Sequence, residues 1–197
     1  MAVVSRGFGG RREPTEKPLP PGQFLTEDFP VLSAGPTPNV DESRWEFSIH
    51  TETGEAHRWD WAALQAMDAE DVSTDIHCVT RWSKLGTGWR GVPLDAFFAD
   101  VETEDDFVMA HSYGGYTTNL PLDDLLDGKA WLAYEFEGEP LAPVHGGPVR
   151  LLVPHLYFWK SAKWIRSLVT QADDVPGFWE QNGYHAYGDP WLEQRYS

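Results

Sequence analysis

The chain has 197 residues, 41% of them hydrophobic and 14% aromatic, and carries a formal net charge of -16. That is long enough for one domain with a real core, and ten tryptophans exclude a chain that stays disordered for want of apolar surface. Such acidity argues against nucleic acid or an anionic membrane as a general partner. No apolar run approaches the ~20 residues of a membrane-spanning helix. Arg11-Arg12 is followed by Glu-Pro rather than by an apolar stretch, so no export signal is read. With Cys78 as the single cysteine, no disulfide forms within the chain, and a cytoplasmic location is expected.

In chain order, the prolines at 14, 18, 20, 21 and 30 make residues 1–30 an extended or disordered arm, with ordered structure expected from Pro30 to Val31. Arg44 to His50 alternates apolar and polar residues as a half-buried strand does, and Ala56 to Trp59 returns after the Thr53-Gly54 turn. Asp60 is placed to cap a short helix, Trp61 to Met67. Thr74 to Val79 reads as a strand, followed by a polar loop from Thr80 to Gly91 that holds three glycines. Pro93 opens a short helix to about Ala99. Strands are expected at Phe107–His111, Thr117–Leu120, Ala130–Phe136, Val149–Val153 and Trp164–Val169, with a helical turn at Leu122–Leu126. Residues 154–162 form a loop, and residues 176–197 form an aromatic tail packed on the domain spanning 31–175. Strands outnumber short helices, which makes the class α+β, a β-rich mixed single domain.

Cations cluster where the chain is otherwise acidic. Arg81, Lys84 and Arg90 fall in one stretch, and Arg150, Lys160, Lys163 and Arg166 in another. Cations gathered beside Pro/Gly-rich loops suit a small anion, although they equally suit surface pairing with carboxylates. Cys78 ends an alternating strand beside Arg81, where a cysteine is a buried filler, a nucleophile or a soft metal ligand. No Cys-x-x-Cys, Walker loop, dinucleotide fingerprint or Gly-x-Ser-x-Gly occurs. Ten tryptophans on a β-rich frame fit core packing, and alternatively an aromatic platform that binds carbohydrate without catalysis.

The tract His145-Gly-Gly-Pro-Val-Arg-Leu-Leu-Val-Pro-His-Leu-Tyr-Phe-Trp-Lys-Ser-Ala-Lys-Trp164 is less generic. With Leu132-Ala-Tyr-Glu-Phe-Glu-Gly-Glu-Pro-Leu141 upstream and the lone Cys78 before it, it resembles the sulfite oxidase family of molybdenum enzymes over roughly residues 31–170. The resemblance implies that family's fold and a molybdenum–molybdopterin cofactor with Cys78 as the sulfur ligand to the metal. It also implies catalytic roles for Cys78 and Arg81, and cofactor contacts from Thr118, His145, Arg150, Lys160, Ser161 and Lys163. Residues Ser33 to Gly35 are expected to approach the cofactor. The implied activity is two-electron oxygen-atom transfer on a small-molecule substrate, with a separate electron-carrier protein as partner. The alternative on the same cofactor is reduction of S- or N-oxides. The chain departs from the animal and plant members after the cysteine, reading Cys78-Val-Thr-Arg-Trp82 where they read Ala-Gly-Asn-Arg-Arg, and it carries Phe158-Trp159 where small residues are usual. A substrate with an apolar part, or a packed wall, is implied by Trp82.

Overall fold

A computed structural model describes residues 17–197, so residues 1–16 of the expected arm lie outside the described residues. Two sheets face each other. In chain order the strands are β1 (Phe24–Leu25), β2 (Glu46–His50), β3 (Ala56–Asp60), β4 (Glu70–His77), β5 (Trp82–Pro93) and β6 (Phe107–Ser112). They continue as β7 (Thr117–Pro121), β8 (Trp131–Phe136), β9 (Glu139–Pro140), β10 (Arg150–Leu152) and β11 (Ile165–Gln171). The helices are short: α1 (Trp61–Ala66), α2 (Leu94–Phe98) and α3 (Phe178–Gln181). The first sheet runs β1-β5-β8-β10 with β4 on β5 and β9 on β8, and the second runs β3-β2-β11-β6-β7. The architecture is mostly β with few helices, in one domain, as the class expected from the sequence requires.

Local chemistry accounts for the elements. The Asp60 carboxylate accepts from the Ala63 N–H and caps α1, satisfying a donor that has no partner inside the helix. β8, Trp-Leu-Ala-Tyr-Glu-Phe, is apolar on both faces because both are covered. Leu132 and Tyr134 point into the core between the sheets with Phe47, Ile49, Val108, Leu151 and Leu168. Trp131 and Ala133 point the other way, into a second cluster with Ile76, Cys78, Trp82, Trp89 and Phe158. Fully burying one such Leu or Phe stabilises by about 1.5–3 kcal/mol. The second cluster is the floor on which the candidate site stands.

Two expectations need correction. The polar loop assigned to Thr80–Gly91 is largely β5, the longest strand of the fold. Its glycines have different parts: Gly86 takes a left-handed φ of 62°, while Gly91 serves close approach, since a Cβ there would lie 2.6 Å from the Leu132 carbonyl oxygen, where β5 crosses β8 at a register shift. Ordered structure also begins before Pro30. Phe24 and Leu25 pair in parallel with Trp82 and Ser83, because the start of β5 offers a free edge and Phe24 an apolar side chain for the second cluster.

Candidate active site

Cys78 sits at the base of a tight connection. Its N–H donates to the Trp82 carbonyl (2.9 Å), and the Arg81 N–H donates to the Cys78 carbonyl (3.0 Å), so Val79, Thr80 and Arg81 make a three-residue loop between β4 and β5. Arg81 closes it in the left-handed region at φ 79°, a conformation that disfavours any residue with a Cβ by about 1–2 kcal/mol. Distant segments hold the loop in place. Gln23 Nε2 donates to the Cys78 carbonyl (3.0 Å), and Arg195 Nη1 donates to the Val79 carbonyl (2.6 Å). His77 Nδ1 lies 2.8 Å from Ser83 Oγ, pinning the strand ends beneath the loop. Cys78 is 7% exposed, its Sγ lies 3.1 Å from Thr80 Oγ1, and burial pushes its thiol up.

Two cations without carboxylate partners stand near this sulfur. Arg150 is 1% exposed, donates to the carbonyls of His145 and Ser161 (2.7 Å each), and lies over the Phe158 ring at 4.0 Å. Lys163 Nζ donates to the Leu32 (2.8 Å) and Val144 (2.7 Å) carbonyls. Among the described residues, neither has a carboxylate within ion-pairing distance. Burial holds Arg150 down to about 9. Burial and then the Arg150 charge hold Lys163 down to about 8. A charge held in a buried or half-buried place without a counter-charge is costly, fully so for Arg150 and in part for the half-buried Lys163, so the two favour a bound anion.

Cys78, Thr80, Trp82, Arg150, Ser161 and Lys163 line one cavity of 390 Å³. The segment from Phe29 to Pro36 crosses one side, and Tyr116, Trp159, Trp164, Phe178, Trp179 and Tyr184 supply aromatic walls. Among the described residues, the Trp82 indole N–H is buried without a hydrogen-bond partner, as is His145 Nδ1. One soft sulfur, two uncompensated cations and an unpaired indole donor fit a group that brings a soft metal, an anionic tail and polar ring edges.

The cavity thus gathers four of the residues singled out from the sequence: Cys78, Arg150, Ser161 and Lys163. It also gathers Ser33 to Gly35. His145 stands behind the wall, its ring stacked on Phe29 with centroids 3.9 Å apart. Burial, then the charges of Lys163 and Arg150, hold its imidazole down to about 4. Three residues are placed elsewhere than expected. Arg81 is exposed and does not line the cavity, because the loop that buries Cys78 turns the next charged side chain outward. The Lys160 ammonium is fully buried and turned inward onto Glu180 Oε1 (2.7 Å), the Asn119 carbonyl (2.7 Å) and the Ala186 carbonyl. Thr118 donates to the same Glu180 oxygen at 2.9 Å. Thr118 and Lys160 are therefore claimed by a carboxylate from the C-terminal segment.

The residues missed in the sequence are the aromatic wall from that segment and the braces Gln23 and Arg195. The density of aromatics after residue 176 was a signal for the wall. Nothing local marks the braces, which act across 55 and 116 positions.

The model of the oxidoreductase molybdopterin binding domain matches residues 34–179. The chain is 42% identical over 194 residues to the uncharacterized oxidoreductase YuiH of Bacillus subtilis, covering 96% of this chain and 98% of that protein. It is 26% identical over 176 residues to a putative protein-methionine-sulfoxide reductase subunit, YedZ1, of Azospira oryzae, covering 87% of this chain and 67% of that one. Against the sulfite oxidase of Gallus gallus the identity is 39% over 115 residues, 54% of this chain and 25% of that one. Among solved structures, the sulfane dehydrogenase SoxCD of Paracoccus pantotrophus shares the fold at a TM-score of 0.64 and 17% identity, over 75% of this chain and 42% of that one.

Proposed function

This chain belongs to the family of oxidoreductase molybdopterin-binding domains, and on that footing we propose that Cys78 is its sulfur ligand to molybdenum and that Arg150, Lys163 and Ser161 hold the pterin's phosphate. It is a molybdopterin-dependent oxidoreductase of the sulfite oxidase-like type. When bound, the cofactor supplies two-electron redox chemistry for oxygen-atom transfer. The protein's part is to present a buried sulfur, to balance the phosphate charge and to shape the approach. The observation that carries the assignment is the buried Arg150 and the half-buried Lys163, which among the described residues have no carboxylate partner, on the wall that also holds Cys78.

For the substrate, a second observation favours a neutral S- or N-oxide with an apolar body over sulfite. A dianion needs converging cations beyond those facing the phosphate. Arg81 is turned outward, while Trp82, Trp159, Trp179 and Tyr184 face the cavity. Aromatic walls bind apolar groups by area and exclude water.

Among the described residues no helix is long and apolar enough to cross a membrane, and a cytoplasmic location is part of this reading. A separate electron carrier is proposed to dock at the cavity mouth, where Leu32 and Phe178 are 48% and 39% exposed. Protein made in a cofactor-competent host tests the assignment by metal and pterin analysis. Equimolar molybdenum and pterin are expected, and a folded protein free of both overturns the reading. Turnover of aryl sulfoxides and N-oxides with a reduced dye, against sulfite with an oxidised one, decides the substrate class.

A further inference from the structure

The outer face of the second sheet carries a groove of 450 Å³ lined by His50, His111, Ser112, Arg166 and Ser167, with Gly115 at one end. We propose that this groove is a binding site for a small inorganic oxyanion of the sulfate or phosphate class, distinct from the site of the cofactor.

The register explains why these groups meet. β11 lies between β2 and β6, with Val169 opposite His50 and Ser167 opposite His111. Residues two apart on a strand share a face, so imidazoles from two outer strands flank the middle one. A shift in register between Ile165 and Ser167 breaks the alternation where Arg166 and Ser112 enter the groove.

Charge sets this place apart. The chain has 31 Asp and Glu against 15 Lys and Arg. Yet Arg166 is exposed, with no carboxylate within ion-pairing distance among the described residues; its guanidinium lies 5.9 Å from the centre of the Tyr113 ring. Glu46, the acid that the register puts on the same face of β2, is already bonded to Arg58 at 2.6 Å.

An independent observation comes from Ser112. It is 5% exposed, its hydroxyl has no hydrogen-bond partner among the described residues, and it lines the groove. A buried hydroxyl without a partner is an unfavourable arrangement that an accepting oxygen would relieve. An oxyanion offers acceptors to the guanidinium, the hydroxyl and two imidazoles at once. His50 Nε2 lies 3.0 Å from Ser48 Oγ; where that hydroxyl donates to Nε2, the proton sits on Nδ1, and a bound oxyanion favours the tautomer or charge state that leaves a ring N–H to donate. Burial, then the nearby charges of Arg166 and His50, lower the His111 pKa; a bound anion reverses the electrostatic part of that shift. Gly115 lines both this groove and the cofactor cavity.

The test uses cofactor-loaded protein, in which the cavity cations are already engaged. The ring resonances of His50 and His111 are followed near pH 6 as sulfate, phosphate, acetate or chloride is added at constant ionic strength. Sulfate and phosphate are expected to give saturable shifts and a higher His111 pKa, with His155 unmoved. Arg166→Ala, an exposed change that spares the core, is expected to weaken binding by about tenfold or more. Ser112→Ala is expected to weaken it less. Equal shifts with chloride, undiminished binding in Arg166→Ala, or acetate binding as tightly as sulfate would each overturn the assignment.

Discussion

Lys160 Nζ lies 2.7 Å from Glu180 Oε1, with both side chains shielded from water at 0% and 1% exposure. The pair joins the loop before β11 to α3, the helix that brings Phe178 and Trp179 to the cavity. The same carboxylate oxygen accepts from Thr118 Oγ1 and Trp159 Nε1, at 2.9 Å each. Burial pulls the Lys160 ammonium down and Glu180 pulls it back up.

Removing one member leaves the other as an uncompensated buried charge. Glu180→Ala or Lys160→Met is expected to cost about 3–5 kcal/mol, a fall in Tm of roughly 6–20 °C for a chain of this size. A Lys160→Met/Glu180→Ala double variant is expected to lose less than the sum of the singles. Urea unfolding of the cofactor-free protein checks both, and additive losses would show that the two groups do not hold each other.

Cys78→Ser replaces a soft sulfur by a hard hydroxyl while keeping the size of the side chain. The pterin is expected to stay bound through Arg150 and Lys163. The metal's charge-transfer absorption is expected to change, and turnover to fall below detection. Retained wild-type turnover in the serine variant would remove Cys78 from the metal.

Arg150→Met and Lys163→Met each delete a cation that has no carboxylate partner among the described residues. Each charge-assisted contact to a phosphate is worth about 1.5–3 kcal/mol, or about ten- to a hundredfold in cofactor affinity. More cofactor-free protein is expected from both variants, with a smaller rise in Tm on loading. Unchanged occupancy in both would make these cations structural.

What the sequence made legible followed from local pattern. The alternation in Arg44–His50 and the Asp60 cap read directly as β2 and α1, and the ordered motifs around Cys78 and His145–Trp164 supply Cys78, Arg150, Ser161 and Lys163, which line one cavity. What it hid depended on contacts distant in sequence. The glycines of β5 look like loop residues until Leu132 is seen against Gly91. Lys160 and Lys163 are three positions apart and alike in sequence, yet one faces Glu180 and the other the cavity. Only the return of the chain after residue 174 distinguishes them.

Acid is expected to unfold the cofactor-free protein in two stages. His145 is held down to about 4, and burial also lowers His77 and His111. A histidine with a folded pKa below its unfolded value of about 6.5 leaves stability intact above that value. As pH falls from 6.5 towards 4, the unfolded chain takes up protons that the folded one refuses, so stability declines through that window. The carboxylates act lower. Glu52 is held down to about 2 by the Glu104 N–H and then the Thr103 hydroxyl, while hydrogen bonds lower Asp124 and Asp75 against the opposing effect of burial. Their contribution is present above the unfolded carboxylate range and is lost as pH falls through the folded values. Urea midpoints from pH 7.5 to 3 are therefore expected to fall first between 6.5 and 4, then more steeply below. His145→Gln is expected to flatten the first stage and leave the second unchanged. Cofactor loading is expected to flatten it too, because a phosphate beside Lys163 and Arg150 offsets the charges that hold His145 neutral. A His145→Gln profile that superimposes on the wild type between 6.5 and 4 would assign that decline to His77 and His111 instead.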